Sequence, residues 1–362
     1  MWRFRNPVEI AFGAGAFEQL GAAVGGRSYA LVTYGERDPF DGLVRRAAAL
    51  AGEPVATIRN VPANPDFESL AESCSALAGA ARAPSLIVAV GGGSVLDAAK
   101  VLACSGGDFA RVRGFLETGA GTLQLLPIIA VPTTAGTGSE MTCWATVWDK
   151  AKRKKYSLTH EDLYPERALV DPLLTLGVPR GVTIASGLDA LSHALEGLWN
   201  VNANPISTAL AIAAAREVLE TLPALAANLA DAALRTRMMR AATQAGLAFS
   251  NTKTALAHSL SYHFTLNHGV PHGIACSFSL PLVMRSAIGC DAACDAALAA
   301  IFGPDLAAGT ERLERFLAGL GVSTRAEDHG IAAGEWRRLV DEALAGERGR
   351  NFIGRREVLL AA

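Results

Sequence analysis

The sequence lacks a basic excess: 33 Lys and Arg stand against 35 Asp and Glu, for a net charge of −2. A protein that lives on phosphate backbones carries a clear positive balance, so a nucleic-acid partner is not expected. It also lacks paired cysteines. The six (Cys74, Cys104, Cys143, Cys276, Cys290, Cys294) are scattered with no C-x-x-C, which argues against a disulfide or zinc-knuckle scaffold and fits a reducing cytoplasm. No long apolar run is present. The longest, Leu125 to Pro132, is far short of a membrane span, and nothing hydrophobic follows the start Met1-Trp2-Arg3-Phe4-Arg5-Asn6. Neither a membrane segment nor a signal peptide is expected. The 36 Gly and 16 Pro are near average, so disorder and fibrous repeats are excluded, and no repeat recurs at solenoid spacing. At 362 residues the chain suits two domains, each able to bury its own core.

What is present in the first half is an alternation of short apolar runs and helix-like segments. Ser28–Thr33, Val55–Ile58, Leu86–Val90 and Ile128–Val131 read as strands; Leu43–Ala51 and Phe67–Ala81 read as helices. No polar residue interrupts Leu86–Val90, which marks a strand buried on both faces. The β-α-β-α order implies a parallel sheet covered by helices. From about Thr183 the chain becomes rich in Ala and Leu with helical periodicity, and Ser207–Leu222 and Ala232–Ala248 are long candidate helices. Pro172 and Pro179 punctuate the change. The expected division is therefore 1–180, an α/β nucleotide domain with a parallel sheet, and 181–362, an all-α domain.

Two segments after strands carry chemistry. Gly91-Gly92-Gly93-Ser94 follows Leu86–Val90 and opens a helix at Val95. Glycines let a backbone approach an anion closely, and the free N–H groups and dipole of a helix start favour pyrophosphate. A plain tight turn needs fewer glycines. The G-x-G-x-x-G fingerprint is absent: Gly13-Ala14-Gly15 is followed by Glu18 where the third glycine belongs. Pro132-Thr133-Thr134-Ala135-Gly136-Thr137-Gly138-Ser139-Glu140 follows Ile128–Val131. Alone it reads equally as an N-cap cluster; beside the first loop it reads as the second side of one nucleotide site.

Asp189 and His193, four apart, share one face if their segment is helical. Of seven His, four fall in one stretch: His258, His263, His268 and His272. One carboxylate and two or three neutral imidazoles make a site for a borderline divalent ion, Fe(II) or Zn(II). Any one of these histidines alone would read as a surface or satisfied core residue.

Together these residues resemble the iron-containing (group III) alcohol dehydrogenases over nearly the whole chain. The resemblance is carried by Phe12-Gly13, the GGGS loop with Asp97 and Lys100, P-T-T-A-G-T-G-S-E, Val170-Asp171-Pro172, Gly187-Leu188-Asp189-Ala190 with His193 and Glu196, and Pro271-His272-Gly273. It implies metal ligands at Asp189, His193, His258 and His272. It implies a pyrophosphate loop at Gly91, Gly92, Gly93 and Ser94, Asp97 near the ribose or nicotinamide, and cofactor contacts at Thr133, Thr134, Thr137, Thr142 and Lys155. The implied fold is an N-terminal α/β domain and a C-terminal helical one, the dehydroquinate synthase-like arrangement. The implied reaction is interconversion of an aldehyde and a primary alcohol using NAD(P)H and one divalent ion, Fe(2+) or Zn(2+), in a cytoplasmic homodimer.

Three departures bear on specificity. Where many members carry a second His, four residues after the third ligand, this chain has Tyr262, with His263 one further on; Tyr262 could pass a proton or simply pack. Tyr34 stands where NAD-specific members place an Asp, and Arg37 could meet a 2′-phosphate, so NADP(H) is modestly favoured. Lys253, five residues before His258, could meet an anionic substrate or run out to solvent. The stretch T-K-T-A-L-A-H-S-L-S-Y, with the segment from Trp199 to Ser207, resembles the phosphonoacetaldehyde reductase members, which make 2-hydroxyethylphosphonate. The expected substrate is therefore a short, anionic aldehyde. A general alcohol or hydroxy-acid dehydrogenase acting on butanol, 4-hydroxybutyrate or maleylacetate is the alternative. Dehydroquinate synthases and glycerol-1-phosphate dehydrogenases share the architecture but fit the P-T-T-A-G-T-G-S-E segment less well, and an idle scaffold would not keep four ligands.

Overall fold

The structure, a computed structural model, describes every residue except Glu36, Arg37, Asn60, Ala333 and Ala362. The chain divides into two compact units. One, the sheet unit, comprises Pro7–Thr134 and Ser139–Gly177. The other, the helical unit, comprises Met1–Asn6, Ala135–Gly138 and Val178–Ala362.

In chain order the sheet unit contains β1 (Glu9–Phe12), α1 (Leu20–Val24), β2 (Tyr29–Val32), α2 (Phe40–Ala51), β3 (Ala56–Ile58), α3 (Phe67–Ala78), β4 (Leu86–Gly91), α4 (Gly93–Ser105), α5 (Phe109–Thr118), β5 (Ile128–Pro132), β6 (Trp144–Asp149), β7 (Lys154–Thr159) and β8 (Arg167–Val170). Six strands pair in the order β1-β8-β5-β4-β2-β3, every pair parallel, and β6 and β7 form a separate antiparallel hairpin. β4 explains why the sheet is central. Leu86, Val88 and Val90 face one core with Tyr29, Leu31 and Ile129, while Ile87 and Ala89 face the other with Ala30, Val32 and Ala130. Successive side chains point to opposite faces, so an uninterrupted apolar run is what a strand covered on both sides requires. β2 leads outward to β3, whereas β4 leads the other way to β5. The strand order therefore reverses between β2 and β4, and in such sheets ligands bind beyond the carboxyl ends at that point.

The helical unit contains α6 (Arg180–Leu198), α7 (Pro205–Ala227), α8 (Ala232–Thr252), α9 (Leu256–His268), α10 (His272–Ser277), α11 (Leu280–Ala287), α12 (Ala292–Phe302), α13 (Leu306–Gly319), α14 (Trp336–Ala345) and α15 (Arg356–Leu359). Local chemistry sets the long ones. Asn204 caps α7 in a reciprocal box with Ser207, Pro205 occupies its first turn, and Asp231 caps α8 through the N–H groups of Ala233 and Leu234. Among the described residues no single helix is long and apolar enough to cross a membrane. The α12–α13 pair passes on length and composition but is bent by 54°. α12 buries Cys294, Ala297, Leu298, Ile301 and Phe302, one helical face.

Candidate functional site

α6 places Asp189, His193 and Glu196 on one stripe, all buried. Asp189 Oδ1 lies 3.4 Å from His258 Nε2 and 3.9 Å from the Nε2 atoms of His193 and His272. His258 is on α9 and His272 opens α10. Asp189 Oδ1 and His258 Nε2 are both buried and make no hydrogen bond. Donor atoms in a tetrahedral shell with bonds of about 2.1 Å are about 3.4 Å apart, so these separations suit a shared ion better than direct pairing. Charge supports the same reading. Asp189 and Glu196 are two buried carboxylates, and every ion-pair partner recorded for either is a histidine. Burial would raise the carboxyl pKa of Asp189, yet His193 and the other two imidazoles hold it below the usual range. Burial, opposed by Asp189 and reinforced by His258, His272 and Arg348, pushes His193 down to about 3 and keeps it neutral, as a ligand must be.

Sequence reasoning assigns no role to two residues of this candidate centre: Glu196, named only within the resembling motif, and Cys276. Asp189, His258, His272 and Cys276 offer ligand atoms within 4.8 Å of one another. Cys276 Sγ is 3.6 Å from His272 Nε2, one turn along α10. Glu196 is fully buried and accepts from the backbone N–H groups of Ala255 (3.0 Å), Ala257 (2.5 Å) and His258 (3.2 Å), and its Oε2 lies 2.5 Å from His258 Nδ1. α9 has no cap from its own N-cap residue, Ala255, so a carboxylate from α6 takes that place. The same contact puts the His258 proton on Nδ1 and leaves Nε2 facing Asp189.

Tyr262 and His263 separate on α9. At 100° per residue Tyr262 lies about 40° round the helix from His258, whereas His263 lies about 140° away. His263 pairs instead with Asn267 Nδ2 (3.1 Å) and His268 Nε2 (3.3 Å), so it is not brought to the ligand cluster. Lys253 also departs from expectation. It ends α8 with φ +62°, and its Nζ runs out to Glu347 Oε1 at 3.5 Å with the side chain 54% exposed. Its carbonyl, not its charge, faces inward, accepting from Asn200 Nδ2 and Thr252 Oγ1. A positive φ at the C-cap, with ψ 177°, turns the side chain away from the direction that sequence spacing assumes.

In the sheet unit, Gly91 ends β4, Gly92 is the N-cap of α4, and Gly93 and Ser94 begin that helix. No side chain caps α4. A Cβ on Gly92 would lie 3.3 Å from the Thr134 side chain, so the two glycine-containing segments meet at that point. Thr133 is buried and its N–H donates to Gly91 O. Tyr34 follows β2 and is half exposed, at the reversal in strand order; Arg37 lies outside the described residues. Asp97 and Thr142 have internal partners. Ser139 Oγ and Thr146 N–H donate to the Asp97 carboxylate at 2.7 and 2.8 Å. The Thr142 hydroxyl takes a bond from Lys100 Nζ (3.0 Å), which also reaches Ser139 O, Ser139 Oγ and Trp144 O. Burial, opposed by Asp97, lowers Lys100 to about 8. Lys155 is half-buried on β7. Thr137 falls in the helical unit, where the neighbouring glycines serve packing: a Cβ on Gly136 would strike Ser186 O at 2.4 Å, and one on Gly138 would strike Gly246 Cα at 2.7 Å.

The profile described as iron-containing alcohol dehydrogenase matches residues 7–172, and that of the family's C-terminal part matches residues 183–354. The chain belongs to the iron-containing alcohol dehydrogenase family. Among its relatives is a probable alcohol dehydrogenase of Salmonella typhimurium, 38% identical over 62% of this chain, of whose own length the match spans 57%. The phosphonoacetaldehyde reductase of Streptomyces viridochromogenes is 34% identical over 75% of this chain and 73% of its own. A sulfoacetaldehyde reductase from Bifidobacterium kashiwanohense, solved in complex with NAD+, is 28% identical with a TM-score of 0.91, covering 99% of this chain and 96% of that one. The chain thus has the parallel-sheet and largely helical parts expected of the family, while Cys276 and Glu196 join the candidate centre through three-dimensional placement.

Proposed function

We propose that the chain is a metal-dependent NAD(P)H oxidoreductase that reduces a short anionic aldehyde to its primary alcohol, with phosphonoacetaldehyde as the first candidate substrate. The observation that carries this reading is Asp189 Oδ1, buried without a hydrogen bond and faced by three imidazole Nε2 atoms. Asp189, His193, His258 and His272 would hold the divalent ion, with Cys276 beside them. When bound, the ion supplies Lewis acidity toward a carbonyl oxygen, and the nicotinamide supplies the hydride. Asp189 contributes the charge, and Glu196 holds the His258 tautomer. Tyr262, whose phenol burial raises to about 12, keeps its proton and remains a hydrogen-bond donor. Gly91 to Ser94 would receive the cofactor pyrophosphate, supported by the uncapped start of α4 and the missing Cβ at Gly92. Thr133 and Thr134 line the same place; Tyr34, where an acidic residue would favour NAD, supports acceptance of NADP(H).

The anionic substrate is supported by likeness to the phosphonoacetaldehyde and sulfoacetaldehyde reductases. A general alcohol dehydrogenase is the second reading, favoured by the higher identity, 38%, of the Salmonella typhimurium relative. Metal analysis, followed by NAD(P)H oxidation with phosphonoacetaldehyde, sulfoacetaldehyde, propanal, butyraldehyde and maleylacetate, tests both. A single divalent ion per chain and the highest kcat/KM for phosphonoacetaldehyde are expected. Preference for propanal or butyraldehyde returns the assignment to the second reading, and absence of any bound metal rejects the centre.

A further inference from the structure

Among the described residues, Arg348 is a half-buried cation with no carboxylate partner. It precedes the short turn Gly349–Asn351. Its neighbour Glu347 is taken by Lys253 at the surface. Arg348 itself donates through Nη1 to Thr254 Oγ1 and lies with its guanidinium carbon 5.7 Å from the Tyr262 ring centroid. Thr254 is 1% exposed and its carbonyl takes a second bond, from Asn351 Nδ2 at 2.9 Å, so the turn carrying Arg348 is fastened to the residue two before α9. Tyr262 stands one turn beyond His258 on α9. One positive charge is therefore packed against the helix that carries His258.

That placement is unfavourable for binding a cation alone. A guanidinium packed on the residue one turn beyond His258 repels a divalent ion held there, and a half-buried positive charge without a counter-ion costs free energy. Both costs fall if an anion arrives with the substrate. We propose that Arg348, steadied by Thr254 and Tyr262, seats an oxyanion headgroup, phosphonate or sulfonate, of a short aldehyde. The inference rests on the oxidoreductase reading above and replaces Lys253 as the recognising cation. A planar guanidinium with one nitrogen fixed on Thr254 still offers its remaining N–H groups to two oxygens of a tetrahedral anion, a geometry that a lysine does not reproduce.

The test compares wild type, Arg348→Gln, Arg348→Lys and Lys253→Met, all metal-loaded, for kcat/KM on phosphonoacetaldehyde, sulfoacetaldehyde and propanal. The ratio of anionic to uncharged substrate cancels general losses of metal or cofactor. Arg348→Gln is expected to lower that ratio about 30-fold or more, Arg348→Lys by less, and Lys253→Met to leave it unchanged. Whichever anionic aldehyde the wild type prefers names the headgroup. Calorimetric titration with 2-hydroxyethylphosphonate reads binding without turnover, and the same loss of affinity is expected in Arg348→Gln. A ratio and a Kd both unchanged in Arg348→Gln overturn the proposal, as does wild-type preference for propanal. If no aldehyde is reduced yet phosphonate binding depends on Arg348, the oxidoreductase reading fails and the anion seat stands. Should Arg348→Gln not fold, Arg348→Lys carries the comparison, and an unchanged ratio there with undiminished phosphonate affinity overturns the two-oxygen fork.

Discussion

Replacing Glu196 with Gln changes one atom of the centre, and its cost can be worked from the contacts. The carboxylate meets four N–H donors: three from the start of α9 and Nδ1 of His258. Oε1 serves Ala257 and His258; Oε2 serves Ala255 and the His258 ring. An amide keeps one acceptor oxygen and turns an NH2 toward the other pair. Placed at the former Oε2, that NH2 leaves the Ala255 N–H buried and unpaired, a cost of about 1–3 kcal/mol, and weakens bonds that were charge-assisted. It also prefers an unprotonated Nδ1, which moves the His258 proton to Nε2, the atom facing Asp189. Chain stability should therefore fall by about 2–4 kcal/mol, and metal affinity by about 10- to 100-fold, the usual loss when a ligand's orienting partner is removed. Urea unfolding of the metal-free protein reads the first effect. Competition against a chelator of known affinity reads the second. Metal affinity within threefold of wild type would refute the claim that Glu196 sets the His258 tautomer, whatever the stability change.

Other substitutions separate further parts of the structure. His193→Ala should abolish metal retention and turnover while Cys276→Ser retains the ion, as metal analysis of the purified variants would show; the reverse result would exchange their roles. Gly92→Val, which puts a branched side chain where the backbone approaches Thr134, should raise the cofactor KM with the fold kept, as steady-state kinetics with circular dichroism would register. Glu140, 3% exposed, has its carboxyl pushed up to about 7 by burial, against the pull of Lys100. Its folded pKa exceeds the unfolded one, so its contribution to stability is complete below about 4.5 and disappears as pH rises through about 7. Unfolding free energies across pH 4 to 8 should lose that downward component in Glu140→Gln. Tyr34→Asp should shift kcat/KM toward NADH over NADPH, since a carboxylate there would accept ribose hydroxyls and repel a 2′-phosphate.

The parts of the fold legible in the sequence are those where one physical requirement acts alone. β4 is covered on both faces, so its apolar run has no competing explanation. β1 and β8 are four residues each; β1 is half exposed at the sheet edge, and neither offers a period long enough to read. Asp189 and His193 share a helix, so spacing reveals their common face. Cys276 stands at the same spacing from His272, a signal that counting cysteines for disulfides overlooks. Glu196 and Arg348 act through elements distant in sequence: the start of α9 in one case, Thr254 and Tyr262 in the other. Lys253 shows the opposite failure. Proximity to a ligand in sequence says nothing about direction once the backbone adopts φ +62°.

The tetrapeptide Ala135–Gly138 joins the helical unit although both its flanks belong to the sheet unit. A side chain on Gly138 would strike Gly246 and come within 2.9 Å of Phe249 Cε1, and Phe249 stacks on His193 with ring centroids 3.9 Å apart. The four residues are thus a buttress behind a ligand. No single cut in the gene delivers this candidate metal centre whole. A fragment beginning at Val178 would leave Phe249 without its backing and His193 free to tilt, so the centre cannot be transplanted as one continuous cassette. Grafting it requires carrying a second, distant piece of chain, or closing the gap behind Phe249 with a new loop.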